Sequence, residues 1–165
     1  MKIFIAQTID GFIAGPRGSL DHLVPFQGND YGYDAFIKTV DSVVIGRRTF
    51  DAIYPRHGWT YPSRLPGVVV TSRPLPKDLP TNVIGSTDLN GIALTFRDAF
   101  LDGGAMTIRS FLGRGLITSA RIFTLPIFLG AGTRLFPDGP CPPGPWTFHQ
   151  SRSFPCGTVM HHYSA

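Results

Sequence analysis

A chain of 165 residues that is 42% apolar and only 16% charged is long enough to bury a core of its own and too apolar to be disordered. Twelve of its fifteen basic residues are arginines, and all eleven acidic ones are aspartates, for a net charge of +4. The arginines are scattered, with only Arg47 and Arg48 adjacent, which points to discrete phosphate contacts rather than a polybasic nucleic-acid arm. No run approaches the roughly 20 apolar residues of a membrane span. Cys141 and Cys156 lack zinc or redox spacing, so the expectation is one domain over 1–165, cytoplasmic, with reduced thiols and no metal, membrane or nucleic-acid partner.

The first strand is "KIFIAQT" from Lys2, whose apolar run is broken by Gln7, Thr8 and Asp10 and so is a strand rather than a leader. Asp10-Gly11 then forms a turn, not a catalytic acid. A helix over Tyr33 to Val40 precedes the strand "SVVIG" from Ser42, and a second over Arg48 to Ile53 precedes "GVVVTS" from Gly67. A short helix at Asp88 to Leu94, weakened by Gly91, leads to "AFLDGG" from Ala99, a helix over Met106 to Arg114, and "ARIFTLPIFLG" from Ala120. After Phe136 the order changes. "PDGPCPPGP" is too rich in proline for regular structure, and "WTFHQSRSF" and "GTVMHHYSA" pair as a terminal hairpin. The alternation predicts an α/β fold, with parallel pairings in a mixed sheet closed by an antiparallel hairpin.

Chemistry gathers at the strand ends. After Gly46 stand Arg47, Arg48 and Thr49 where a helix begins: either an anion site of N–H groups, guanidiniums and a hydroxyl, or an exposed arginine pair with a threonine N-cap. The next strand ends in Thr71, Ser72 and Arg73. A third ends in Gly103-Gly104, which serves either a tight turn or the close approach of a phosphate to a helix start. In open α/β sheets ligands collect beyond such carboxyl ends. Adjacent His161 and His162 point to opposite faces of a strand and cannot share a metal. "GAGTRLF" lacks the third glycine of a dinucleotide fingerprint and opens no helix.

The segments "AQTIDGFIAGPRGSLDHL", "VVIGRRTFDAI", "VVVTSRP", "LDGGAMTIRSFLGRGLI" and "LPIFLGAGTRLFPDG" together resemble, in order and spacing, the dihydrofolate reductase-like superfamily over nearly the whole chain. The resemblance is strongest to the branch holding the reductase domain of bacterial riboflavin biosynthesis and many small reductases. It implies a three-layer α/β/α fold around a mixed, mostly parallel sheet. It also implies NADPH as cofactor, a homodimer paired through the terminal hairpin and the segment near Thr118, and hydride transfer to a C=N or C=O group of a small heterocycle. The substrate is then a phosphoribosylamino-pyrimidine, as for 5-amino-6-(5-phosphoribosylamino)uracil reductase, or a pterin.

By the same resemblance, Ala6 and Ile13 flank the nicotinamide, and the loop from Ala14 to Leu23 is a flap over it. Gly46, Arg47 and Thr49 hold cofactor phosphates from one helix start, and Gly103, Gly104, Ala105 and Met106 from the other. Thr71, Ser72 and Arg73 flank the adenosine. Asp30 is placed as the buried carboxylate that helps protonate the substrate, with Asp34 a turn further on and Thr124 near that carboxylate. From the residues themselves, Trp59 and Tyr61 in "HGWTYP" either wall the pocket or are loop aromatics packed on the core. His22 stands where true dihydrofolate reductases carry a tryptophan, and Thr118 and Ser119 where the family often has an acidic pair. Dihydrofolate reduction proper, and a non-catalytic module that binds nucleotide or nucleic acid, are the competing readings.

Overall fold

A computed structural model of the protein describes residues 1–141 and 144–165. In chain order the elements are β1 (Lys2–Thr8), β2 (Phe12–Ala14), α1 (Tyr33–Ile37), β3 (Val43–Gly46), α2 (Arg47–His57), β4 (Gly67–Val70), β5 (Val83–Ser86), α3 (Leu89–Thr95), β6 (Phe100–Gly103), α4 (Ala105–Leu112), β7 (Ser119–Leu125), β8 (Thr133–Arg134), β9 (Thr147–Ser153) and β10 (Val159–Ser164). Two short 3-10 turns, Pro16–Gly18 and Asp21–Phe26, lie between β2 and α1. Eight strands form one sheet in the order β5-β4-β3-β6-β1-β7-β10-β9. Pairings from β5 to β7 are parallel, and those of β10 with β7 and β9 are antiparallel.

Side chains alternate across these strands and so divide the core in two. Ile3, Val44, Leu101 and Ala120 pack on Ile92 of α3 and Ile108 and Phe111 of α4. On the opposite face Val43 and Phe100 pack on Phe36 and Ile37 of α1, and Ile45 and Val69 on Phe50 of α2. Helices on both faces make the expected three-layer α/β/α arrangement. The fourfold β-branched or apolar runs of β3 and β4 are buried almost throughout, as parallel central strands require.

Boundaries differ from expectation where local chemistry intervenes. β7 stops at Leu125 because Pro126 has no N–H to continue the ladder. α1 ends at Ile37, where the Thr39 hydroxyl and N–H both donate to the Phe36 carbonyl and close the chain into a turn. β5 is unanticipated, since Gly85 and two exposed positions disguise an edge strand. α3 begins as capping rules require, with the Asp88 carboxylate accepting from the Gly91 N–H at 3.0 Å. Within the proline-rich loop, residues 142–143 lie outside the described residues. Among the described residues no helix is long and apolar enough to cross a membrane.

Candidate active site

From β3 the chain passes through α2 to β4 on one side, and from β6 it passes through α4 across β1 to β7 on the other. The carboxyl ends of β3 and β6 are neighbours, so the crevice between them is the point where the winding reverses. Both helices that leave it start on a glycine, Gly46 for α2 and Gly104 for α4, and neither start has a side-chain cap. Their first N–H groups therefore face the crevice without internal acceptors, a donor set that suits a pyrophosphate.

The two helix starts also press on each other. A Cβ on Gly46 would collide with Thr107 Oγ1 and lie 3.2 Å from the Gly103 carbonyl oxygen; one on Gly104 would lie 2.8 Å from Thr49 Oγ1. Gly103 has φ +129°, where glycine is favoured, and its peptide bond to Gly104 is cis. Close packing is thus a second reason for these glycines, beside ligand approach. Ala105 is buried beneath them and Met106 is exposed.

At the neighbouring strand end, the Asp51 carboxylate lies between two arginines. Arg47 Nε donates to one of its oxygens at 2.7 Å and Arg73 Nη2 to the other at 3.0 Å, while Arg47 Nη1 donates to the Pro74 carbonyl at 2.9 Å. Thr71 Oγ1 accepts from the Arg73 N–H at 3.0 Å, and Ser72 beside it is exposed. Arg47, Thr71, Ser72 and Arg73 therefore come together, with an acid among them that the sequence reading did not place.

On the α1 side of the sheet lies an apolar cavity of about 330 Å³. Its floor is Phe4 and Ala6 of β1 with Phe123 and Leu125 of β7, and its wall is the segment from Leu23 to Tyr31. The Tyr31 hydroxyl donates to the Phe26 carbonyl at 2.9 Å, which leaves its ring to the cavity. Ile13 packs instead with the core under α3 and α4. His22, in the flap, has its Nε2 buried without a hydrogen-bond partner among the described residues, and burial pushes its pKa down.

Several expected substrate contacts lie elsewhere. Asp30 is exposed and precedes α1 rather than lying on it; its carboxylate accepts from the Gly32 N–H at 2.8 Å, so it shapes a turn. Asp34 is exposed in the first turn of α1. Thr124 falls between Phe123 and Leu125 and so points to the opposite face of the sheet. Trp59 packs as core: a Cβ on Gly67 would run into its ring, and its Nε1 is buried without a partner among the described residues. Asp10, as expected, is structural. It accepts from the Thr8 hydroxyl and from the N–H groups of Leu129 and Gly130, which hold its pKa low.

The acid that the reading missed is Asp102, the residue before Gly103-Gly104. It shares the α1 face with Phe100 by alternation and accepts from the Tyr61 hydroxyl at 2.7 Å. Desolvation pushes its pKa up, with the Tyr61 bond acting against that. Burial and then the Asp102 charge push Tyr33 up to about 12, and Tyr61 is driven up for the same reasons. A lone acid in an otherwise apolar strand, at the site's glycines, was the available signal.

Residues 93–160 match the family model of the RibD C-terminal domain. The chain is 30% identical over 148 residues to the uncharacterized protein YwjB of Bacillus subtilis (strain 168), covering 81% of this chain and 80% of YwjB. A crystal structure from Shewanella sp. PV-4, named for riboflavin biosynthesis, superposes with TM-score 0.83 at 27% identity, covering 99% and 97% of the two chains. Acinetobacter baumannii RibD shares the fold at TM-score 0.72 and 15% identity, with 99% of this chain covering 56% of that one.

Proposed function

This chain belongs to the RibD C-terminal domain family, within the dihydrofolate reductase-like superfamily, and on that premise we propose that it is an NADPH-dependent reductase of a small heterocyclic substrate. The observation that carries the reading is the pair of uncapped, glycine-started helices meeting at the winding reversal. NADPH, when bound, supplies the hydride for a C=N or C=O group. The residues present suit such a ligand. The N–H groups that open α2 and α4, with the Thr49 and Thr107 hydroxyls beside them, would hold its pyrophosphate, and Arg47, Ser72 and Arg73 the phosphate at its adenosine end.

The remaining residues orient the acceptor and exclude water. Ala6 leaves room on the sheet for a flat ring, while Phe4 and Phe123 keep the cavity dry. The accompanying proton comes from Asp102 rather than Asp30. Burial pushes the Asp102 pKa up, the direction a proton donor needs, whereas Asp30 is spent on a turn. The working unit is a cytoplasmic homodimer.

Calorimetric titration with NADPH, followed by NADPH oxidation against a panel of heterocycles, tests the reading. The expected result is micromolar or tighter binding and turnover of at least one ring substrate. Asp102→Asn should lower kcat by ~100-fold, within the range for general acids, with NADPH affinity unchanged. Because the carboxyl is active when protonated, wild-type kcat should fall as pH rises through its elevated pKa. Absence of NADPH binding would end the assignment.

A further inference from the structure

Tyr61 stands in the loop between α2 and β4. Its ring meets that of Trp59 at 4.8 Å between centroids and that of Phe100 at 6.4 Å, both edge-on, so it has little freedom to turn away. The loop is fastened by Arg64 Nη2, which donates to the Ile37 carbonyl at 2.7 Å, and by Asn82 Nδ2, which donates to the Ser63 carbonyl at 3.0 Å. From this fixed ring the hydroxyl donates to Asp102 Oδ2, and it is the only hydrogen-bond partner of that carboxyl among the described residues. Oδ1 is left without one. It is not among the unpartnered side-chain polar atoms shut off from solvent, which are His22 Nε2 and Trp59 Nε1, so solvent reaches it. An acid that serves structure alone is used differently in this protein: Asp10 has donors on both oxygens, from Thr8, Leu129 and Gly130.

We propose that Tyr61 is a positioning residue for Asp102: its hydroxyl claims one carboxyl oxygen and so leaves the acid proton on the other, open one. This deepens the reductase reading and rests on its choice of Asp102 as proton donor. A carboxylic acid has one oxygen that carries the proton and one that only accepts. An O–H donor on Oδ2 makes that oxygen the acceptor, so the proton resides on Oδ1. Asp102 gives it to the nitrogen or oxygen that takes up the π pair while the neighbouring carbon receives hydride from NADPH, and solvent reprotonates the carboxylate left behind. The Tyr61 bond is charge-assisted on that carboxylate and works against burial, which favours the neutral acid. The other groups on this face do not replace it. From β1 come Phe4 and Lys2, the latter held by Asp98; from β3 comes Ile45; from α2 comes Arg47, held by Asp51; and from α1 come Tyr33 and the exposed Asp34, neither hydrogen-bonded to Asp102.

Carbon-13 NMR of the full chain, labelled at the aspartate carboxyls and titrated with acid and base, tests this, with the Asp102 signal assigned by its loss in Asp102→Asn. Tyr61→Phe keeps the ring and should raise the Asp102 midpoint by about one pH unit, the loss of one charge-assisted hydrogen bond, while the other aspartates stay put. In the wild type, the Tyr61 carbon that bears the hydroxyl should move with the same midpoint as Asp102. An unshifted midpoint in Tyr61→Phe overturns the proposal, and so does a Tyr61 carbon blind to the titration, a result that needs no variant. Kinetics use NADPH with 5-amino-6-(5-phosphoribosylamino)uracil and with 7,8-dihydropterin. For whichever is reduced, Tyr61→Phe should lower kcat about ten-fold and move its fall to higher pH, with KM and NADPH affinity nearly unchanged. If neither is reduced, the carboxyl titration decides. Asp102→Asn with wild-type kcat removes the donor that the reductase reading assigns, and this proposal with it. Wild-type kcat and pH profile in Tyr61→Phe, beside a crippled Asp102→Asn, remove this proposal alone.

Discussion

Asp51 places a negative charge where a phosphate of the cofactor is expected, and the geometry sets its effect. Its two oxygens engage the Nε of Arg47 and the Nη2 of Arg73, donors that a phosphate would also use. Both pairs are solvent-exposed enough that each is worth no more than about 1 kcal/mol. Displacing the carboxylate is therefore cheap, but it subtracts from what the cofactor gains. Arg73→Ala should weaken NADPH by roughly ten-fold, the loss of one charge-assisted hydrogen bond at about 1.5 kcal/mol, and leave NADH nearly unchanged. Asp51→Asn should do the opposite, tightening NADPH by up to about five-fold without helping NADH, since removing about 1 kcal/mol of competition has that effect. Parallel titrations of both cofactors against the three proteins check this. If Asp51→Asn weakens NADPH, the acid positions the arginines instead of competing for them.

At the scale of elements, the contact between the starts of α2 and α4 makes a sharper demand on Gly104 than backbone freedom does. Its φ of −76° is open to any residue, so the obstacle to a side chain is Thr49 Oγ1 at 2.8 Å from the added Cβ. Gly104→Val should lower the melting temperature, because the helix starts must separate, and should weaken NADPH at least ten-fold, because the valine stands over the first N–H groups of α4. Both are measured on one sample, and wild-type affinity in the folded fraction would leave the glycine with packing alone. Much of this element-level organisation was legible in the sequence, since runs such as "SVVIG" and "GVVVTS" can only be buried strands and the glycines mark where they end. What was not legible depended on which face a side chain takes. The resemblance puts Thr124 and Asp30 at the substrate, yet one residue of strand alternation sends Thr124 to the other face, and a turn before α1 leaves Asp30 in solvent. Asp102 is legible as the lone acid of an apolar strand, but its bond to Tyr61, from a distant loop, is made only in the packed structure.

For the molecule as a whole, the sheet ends at β9, a seven-residue edge strand with every residue exposed. An edge of that length, carrying Arg152 as its only permanent charge, is a template for pairing unless something covers it. On one face of the terminal hairpin Phe148, 55% exposed, lies 5.7 Å from Tyr163 and 6.4 Å from His161 between ring centroids, an aromatic group that adds apolar area beside the open edge. A second copy related by a two-fold axis would bring edge to edge and aromatic group to aromatic group, since a two-fold contact uses the same patch on both partners. The expected species in multi-angle light scattering is therefore a dimer from low micromolar concentration upward. Phe148→Lys puts a charge into each half of that contact, two like charges close together, and should shift the protein to monomer while far-UV circular dichroism stays unchanged, because the side chain is more than half exposed in the single chain. A wild type that remains monomeric across a hundred-fold range of concentration would leave β9 an open edge, and the twofold pairing through the terminal hairpin would have to be abandoned.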